Sequence, residues 1–533
     1  MSTNDSSING SGAGSVAASV ATGKQWFGHP RGLATLFFTE MWERFSYYGM
    51  RAILVLFMTA PLALGKNPGL GYDIKKSAAI YGLYTGLVYL LDLPGGWVAD
   101  KLWGQRKAVF IGGCIIAAGH FSLAAPLIGL PSQPSFFTGL ALIVIGTGLL
   151  KPNVSTMVGQ LYPSAEEMGD DEAGRKAAIE AGARRDAGFS VFYMGINVGA
   201  IIGPFICGTL GEKVNWHWGF SAAGFGMVLG LIQYVMGDKY LREAGKLQIE
   251  ETRQTLRKRA RNFYLSTIVA ALAVTGFAWL MANGTLHITL TDIAETLIYI
   301  ILGIAVVYFG YLLLFGGYSS KDKRRLIVIF WLCLLAAVFW SGFEQAGSSM
   351  NIFARDLTNR VYFGWSMPTS WLQNVNPLFI VIFAPIFGWL WTWLAHRRKN
   401  PSIPVKFGLG LMGLAAGFFV LAWGASYATK AHPVTAAWLV VTYFLHTCGE
   451  LSLSPVGLSS MTKLAPRDRV GQMMGIWFLA AAAGNVFAGL VAGRLENMAP
   501  SELFWHVALF IGGAGVLALI AAPWVHKVMG HVD

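Results

Sequence analysis

Apolar stretches of about 20 residues recur along the chain with short polar breaks between them, and each is long enough to cross a hydrocarbon core of about 30 Å as a helix. The pattern predicts fourteen spans, at 33–60, 76–95, 108–130, 136–160, 188–210, 217–237, 264–283, 294–316, 326–346, 370–395, 406–428, 434–461, 470–493 and 503–526. Two six-helix blocks, about 33–237 and 326–526, flank a basic stretch from Lys239 to Arg261 and an additional helical pair. That pair has few polar residues beyond its ends and is expected on the flank of the bundle rather than along a pathway.

Composition points the same way. Apolar residues make up 54% of the chain and charged ones 13%, with mean hydropathy +0.51, whereas a soluble domain carries about 25% charge. Residues 1–25, rich in Ser, Gly, Ala and Asn and without an apolar core, are expected to form a disordered cytoplasmic tail with no cleavable signal. The expected domains are then a first bundle at 26–238, a basic linker with its hairpin at 239–325, a second bundle at 326–527 and a tail at 528–533. This layout suits two bundles related by an axis along the membrane normal. With both ends inside, about 29 of the 40 Lys and Arg fall in cytoplasmic segments, about 8 outside and 3 within spans. The formal charge of +12 is therefore mostly a topology signal, and nucleic-acid binding is not needed to explain it.

Charge within the spans changes the picture most. The first span carries Glu40, Glu43, Arg44, Tyr47, Tyr48 and Arg51. At about 100° per residue, all but Glu43 share a sector of roughly 100°, with Glu43 just beside it. Charges at bilayer depth are costly and normally face a cavity or a partner. An inert Glu40–Arg44 pair at i,i+4 would leave Glu43 and Arg51 unexplained, so the cluster reads as a wet, functional face.

Two depth-matched pairs link the blocks. Lys151, beside Pro152, and Glu450 each lie about 15–16 positions from the outer start of their helices, roughly 23 Å in. Arg51 and Glu344 each lie about 18 positions from an inner start, roughly 27 Å along the axis. Either pair could be a permanent tie. A gating or coupling role is favoured, because a fixed buried pair adds little net stability. Asn197 and Asn376 could hydrogen-bond a substrate or only bridge helices. Asp92, beside Pro94, could cap a bent helix rather than carry protons. His446, one turn from Glu450, and His120 are expected to be structural. The segment from Glu166 to Arg185 is expected to be a solvated loop.

Hydrolytic and phosphate-binding chemistry find no support. No His-Glu-x-x-His, Gly-x-Ser-x-Gly or phosphate-loop string occurs. Cys114, Cys207, Cys333 and Cys448 all fall in spans, against a disulfide framework or a zinc site. No cofactor, metal or obligatory protein partner is expected.

Several strings carry a resemblance. The loop Gly96-Trp-Val-Ala-Asp100-Lys-Leu-Trp-Gly104-Gln-Arg106-Lys107 resembles a signature of the major facilitator superfamily. The Glu40–Gly49 string resembles the Glu-x-x-Glu-Arg-Phe-x-Tyr-Tyr-Gly signature of the proton-dependent oligopeptide transporter family, a branch of that superfamily. Phe192–Gly199 resembles its Phe-Tyr-x-x-Ile-Asn-x-Gly signature, and further matches begin at Phe339, Asn376, Glu450 and Gln472. The resemblance covers nearly the whole chain, and fourteen helices resemble the bacterial members.

It implies an all-α membrane protein of the major facilitator fold, with both termini cytoplasmic in a bacterial inner membrane, importing di- and tripeptides with protons. Glu40, Glu43, Arg44 and Glu344 would take part in proton coupling. Arg51, Tyr47, Tyr89, Lys151, Asn197, Asn376, Glu450, Ser454 and Trp477 would form the peptide site, with the peptide ammonium toward Glu450 and its carboxylate toward Arg51 and Lys151. Arg51–Glu344 and Lys151–Glu450 would be gate pairs. One departure matters: Gly82 stands where animal members and some bacterial ones carry a histidine, so coupling should rest on the first-helix carboxylates and Glu344. Nitrate, a single amino acid or a drug are alternative substrates. A nitrate carrier would not need the acidic pole, an enzyme lacks visible catalytic groups, and a peptide sensor should append a signalling domain.

Overall fold

A computed structural model describes residues 25–62, 67–163, 172–247, 252–466 and 469–530. The expected N-terminal tail, apart from Gln25, and the last three residues lie outside the described residues. The first bundle is built from α1 (Gly32–Thr59), α2 (Ile74–Leu90), α3 (Gln105–Ala124), α4 (Ser132–Gln160), α5 (Glu172–Lys213) and α6 (Trp216–Gly237). The hairpin is α7 (Arg253–Ala282) and α8 (Leu290–Phe315). The second bundle is α9 (Ser320–Phe343), α10 (Val375–His396), α11 (Ile403–Ser426), α12 (Ala437–Leu464), α13 (Val470–Ala492) and α14 (Pro500–Met529). Eleven of these are long and apolar enough to cross a membrane. The remaining three are α1 and α12, which carry the charges Glu40, Glu43, Arg44, Arg51 and Glu450, and α2, with only 17 residues.

Two boundaries differ from the sequence reading. Residues 172–185, expected in a solvated loop, belong to α5. Their Ala, Glu, Arg and Lys are strong helix formers, and that propensity outweighs their polarity. Residues 253–261 of the expected basic linker likewise form the first turns of α7.

α1 begins and α14 ends on one side of the bundle, here the near side; α1 ends on the far side. Within the first bundle α1 packs on α5 and α6, and α3 on α4; within the second, α11 packs on α12 and α14. Across the bundles α2 packs along α13 at a very short separation. A Cβ on Gly82 would lie 2.9 Å from the Gly489 Cα, and one on Gly489 would lie 2.4 Å from the Ala78 carbonyl oxygen. A side chain at Gly82, a histidine included, would force this helix contact to shift. The hairpin sits on the flank: α8 touches α2, α9 and α13, while the most apolar stretch of α7 has no buried residue.

Among the described residues, the hydrogen bonds joining the two bundles all lie in the far half. Glu212, at the end of α5, accepts from the Thr369 and Ser370 amides at 2.7 and 2.8 Å and from the Ser370 hydroxyl at 2.6 Å. Arg355 Nη1 donates to Thr59 Oγ1 at 2.5 Å. The Ala52 carbonyl on α1 accepts from Asn351 Nδ2 at 2.9 Å and Gln373 Nε2 at 3.3 Å. The Ile74 amide donates to Glu496 at 2.8 Å. The two halves are thus tied together on the far side.

Candidate functional site

Between the bundles lies a cavity of about 160 Å³, walled by Tyr48, Arg51, Tyr89, Tyr193 and Asn197 of the first bundle and by Trp340, Glu344, Asn376, Tyr443, His446 and Glu450 of the second, among others. Its wall carries both basic and acidic side chains.

On that wall Arg51 Nη2 lies 2.9 Å from Glu344 Oε2, and both side chains are buried. The Tyr81 hydroxyl joins them, accepting from Arg51 Nε at 2.6 Å and donating to Glu344 Oε2 at 3.5 Å. Tyr81 is wholly buried, and its hydroxyl sits where a Cβ on Gly347 would be, 1.9 Å away. A glycine just past α9 therefore makes room for the bridging phenol.

Glu450 lines the same cavity. It accepts a hydrogen bond from Asn376 Nδ2 at 3.2 Å, and the same amide donates to Thr447 Oγ1 at 3.0 Å. No cationic side chain among the described residues lies within ion-pair distance of Glu450. A half-buried carboxylate with one neutral donor is poorly compensated. The same cavity wall thus carries a carboxyl group without a cationic partner and a guanidinium paired with Glu344.

Below the cavity, toward the near side, the first-helix charges form a compact group. Arg44 Nε lies 3.1 Å from Glu40 Oε1 and contacts the Glu43 carboxylate, and all three are nearly inaccessible. Neither Glu40 Oε2 nor Glu43 Oε1 has a hydrogen-bond partner among the described residues. Asp92 and Lys151 are electrostatic neighbours of this group. Fully ionised, three carboxylates face two cations here, and a single proton would make the group neutral.

The family model of the POT family matches residues 106–505, three quarters of the chain. The chain belongs to the POT family. It is similar to the peptide transporter YePEPT of Yersinia enterocolitica, 41% identical over 522 residues and covering 96% of this chain and 97% of that one. It is also similar to a di-/tripeptide transporter of Lactococcus lactis subsp. cremoris, 39% identical, with 96% and 99% covered. A crystal structure of a peptide transporter POT in complex with sulfate superposes with a TM-score of 0.84 at 38% identity, covering 98% of this chain and all of that one. The major facilitator fold expected from the family signatures is thus the fold observed.

The placements of individual residues are more varied. Arg51, Tyr89, Asn197, Asn376, Glu344 and Glu450 all reach the cavity wall. Tyr47 does not; it is buried against Tyr84, ring centroids 6.2 Å apart, and its neighbour Tyr48 takes the wall position. Trp477 is buried in the second bundle, edge-on to Phe407 and over Gly457, and Ser454 is likewise outside the wall.

The expected Lys151–Glu450 pair is absent from this conformation. Lys151 Nζ lies 3.2 Å from Asp92 Oδ2 instead. Asp92 opens the short helix Asp92–Val98 that follows the break after α2. Equal depth along two helix axes does not set their lateral separation, and Asp92 is the acid that the break brings beside α4. His446 lines the cavity but packs on Phe418 at 4.7 Å, and His120 is fully buried. Tyr81 and Glu212 were not recognised as cross-bundle contacts. Their partners lie 263 and 158 residues away, and no local pattern marks them. Among the described residues no group of three or more His, Cys, Asp or Glu is placed to hold a metal ion.

Proposed function

We propose that the chain is a proton-coupled symporter that imports di- and tripeptides through a bacterial inner membrane by alternating access. The conformation described here is then the one closed to the outside, with the near side cytoplasmic. The observation that carries the proposal is the polarity of the cavity. Arg51, paired with Glu344, and Glu450, with no cation within ion-pair distance among the described residues, line the same cavity. A zwitterion with separated termini matches both poles, its ammonium satisfying Glu450 and its carboxylate competing with Glu344 for Arg51. Nitrate would leave Glu450 uncompensated. The relatives named as peptide and di-/tripeptide transporters support the same substrate class.

Proton coupling follows from charge balance. The Glu40, Glu43 and Arg44 group carries an excess carboxylate, and displacing Glu344 from Arg51 leaves a second buried acid to be neutralised. A ligand or proton shifts a conformational equilibrium only through differential affinity for the two states. Breaking Arg51–Glu344 on the outward stroke supplies that difference.

Uptake of labelled dialanine into proteoliposomes tests the proposal. Accumulation above the external concentration is expected with an inward proton gradient, and equilibration only without one. Absence of dialanine uptake under both conditions, with nitrate or an amino acid transported instead, would overturn it.

A further inference from the structure

Lys151 has an acidic partner that the transport cycle above does not use. Asp92 is buried, its Oδ2 is 3.2 Å from Lys151 Nζ, and its Oδ1 has no hydrogen-bond partner among the described residues. The pair is built by close backbone packing: a Cβ on Gly95 would lie 1.9 Å from the Gly148 carbonyl oxygen, so the short helix and α4 meet with nothing between them. Asn153 Nδ2 donates to the Leu149 carbonyl at 2.7 Å and to Gly95 at 3.4 Å across the same seam. Lys151 thereby sits one layer behind the cavity, its ammonium 3.7 Å above the ring of Tyr89, a wall residue.

The other charges facing Asp92 are already engaged. Glu43 and Arg44 of α1 are its electrostatic neighbours, and they are held together with Glu40. Among the described residues, Lys151 is then a cation for which two acids can compete: the buried Asp92 in its own bundle, and the half-buried Glu450, with no cation within ion-pair distance, in the other. Whichever acid Lys151 leaves is abandoned at bilayer depth, and breaking a buried pair is strongly unfavourable. Two exclusive partners on opposite bundles make a bistable element.

We propose that Asp92 is the holding partner of Lys151: the Asp92–Lys151 pair keeps the near side open, and transfer of Lys151 to Glu450 accompanies near-side closure. Asp92 is thus a positioning residue for the transport cycle, a role that presupposes the two-conformation symport proposed above. The carboxylate competes with Glu450 for one ammonium, which makes Lys151 available only when the bundles approach.

Disulfide trapping between Ser155→Cys and Ser454→Cys, each one turn toward the near side from Lys151 and Glu450, reads near-side closure in a background without the four native cysteines. Asp92→Asn is expected to raise the trapping rate several-fold, because Lys151 loses its holding partner. The increase should vanish when Glu450→Gln is added, since Lys151 then has no second partner. Asp92→Glu, which keeps the charge, should trap near the parental rate and serves if Asp92→Asn does not fold. Unchanged trapping in a folded Asp92→Asn protein, an increase that survives Glu450→Gln, or an equal increase in Asp92→Glu would each overturn the proposal. Such a result in a protein that still concentrates dialanine removes only the role of Asp92; loss of proton-driven dialanine uptake in the unmodified protein would remove the transport cycle itself.

Discussion

Arg51 of α1 and Glu344 just past α9 form a buried ion pair at 2.9 Å across the two bundles, with the Tyr81 hydroxyl from α2 bonded to both. Three helices and both halves of the molecule meet at this one contact. Removing one partner of a buried pair leaves the other charge stranded, at a cost of about 3–5 kcal/mol. Glu344→Gln should therefore weaken far-side closure. Cysteines at the far ends of α1 and α9, in a background without native cysteines, should crosslink less, and far-side labelling should rise. Unchanged crosslinking in a folded Glu344→Gln protein would make the pair a static tie.

Tyr81 supplies a finer test of the same contact. A hydrogen bond to a charged group is worth about 1.5–3 kcal/mol, so Tyr81→Phe should shift the closed-to-open ratio on the far side by roughly tenfold or more. Gly347→Ala should mimic it, because the new methyl would occupy the position of the Tyr81 hydroxyl. Far-side labelling rates compare the two directly. A Gly347→Ala protein that labels like the parent would show that the phenol is not held there.

Much of this was legible in the sequence, for identifiable reasons. Span number and order follow from apolar run length, and the wall positions of Arg51, Glu344, Asn376 and Glu450 follow from the rarity of polar groups at bilayer depth. The partner of Lys151 was not legible. Depth along an axis is a residue count at 1.5 Å per residue, but which acid stands beside Lys151 depends on the helix break at Asp92 and the Gly95–Gly148 seam. Trp477 shows the limit of motif transfer: it lies in a matching string, yet is buried against Phe407. Gly82 shows the reverse, since the missing histidine has a steric reason in the contact with Gly489.

Glu43 is buried against Arg44 with one oxygen unpartnered. Glu43→Gln keeps size and hydrogen bonding but cannot exchange a proton. Gradient-driven accumulation of dialanine should be abolished, while counterflow, which needs only binding and reorientation with substrate aboard, should persist. A mutant that still concentrates peptide would exclude Glu43 as an essential coupling group.

Recognition of the peptide amino group can be read at Glu450. Glu450→Gln removes the unmatched negative pole and should raise the half-saturation concentration for dialanine by about 10- to 100-fold, the equivalent of a charged hydrogen bond. N-acetyl-dialanine, which has no ammonium, should lose little. The preference for free over acetylated peptide should therefore collapse in the mutant. An equal loss for both ligands would point to a structural defect instead.

Coupled movement of peptide and proton is measurable in sealed proteoliposomes that contain a trapped pH indicator and start at equal pH on both sides, with the membrane potential clamped at zero. External dialanine should acidify the lumen at a rate that saturates with peptide, and the Glu43→Gln protein should give no acidification while still exchanging dialanine. Dialanine entry into vesicles of the unmodified protein without any lumenal acidification would contradict proton-coupled symport.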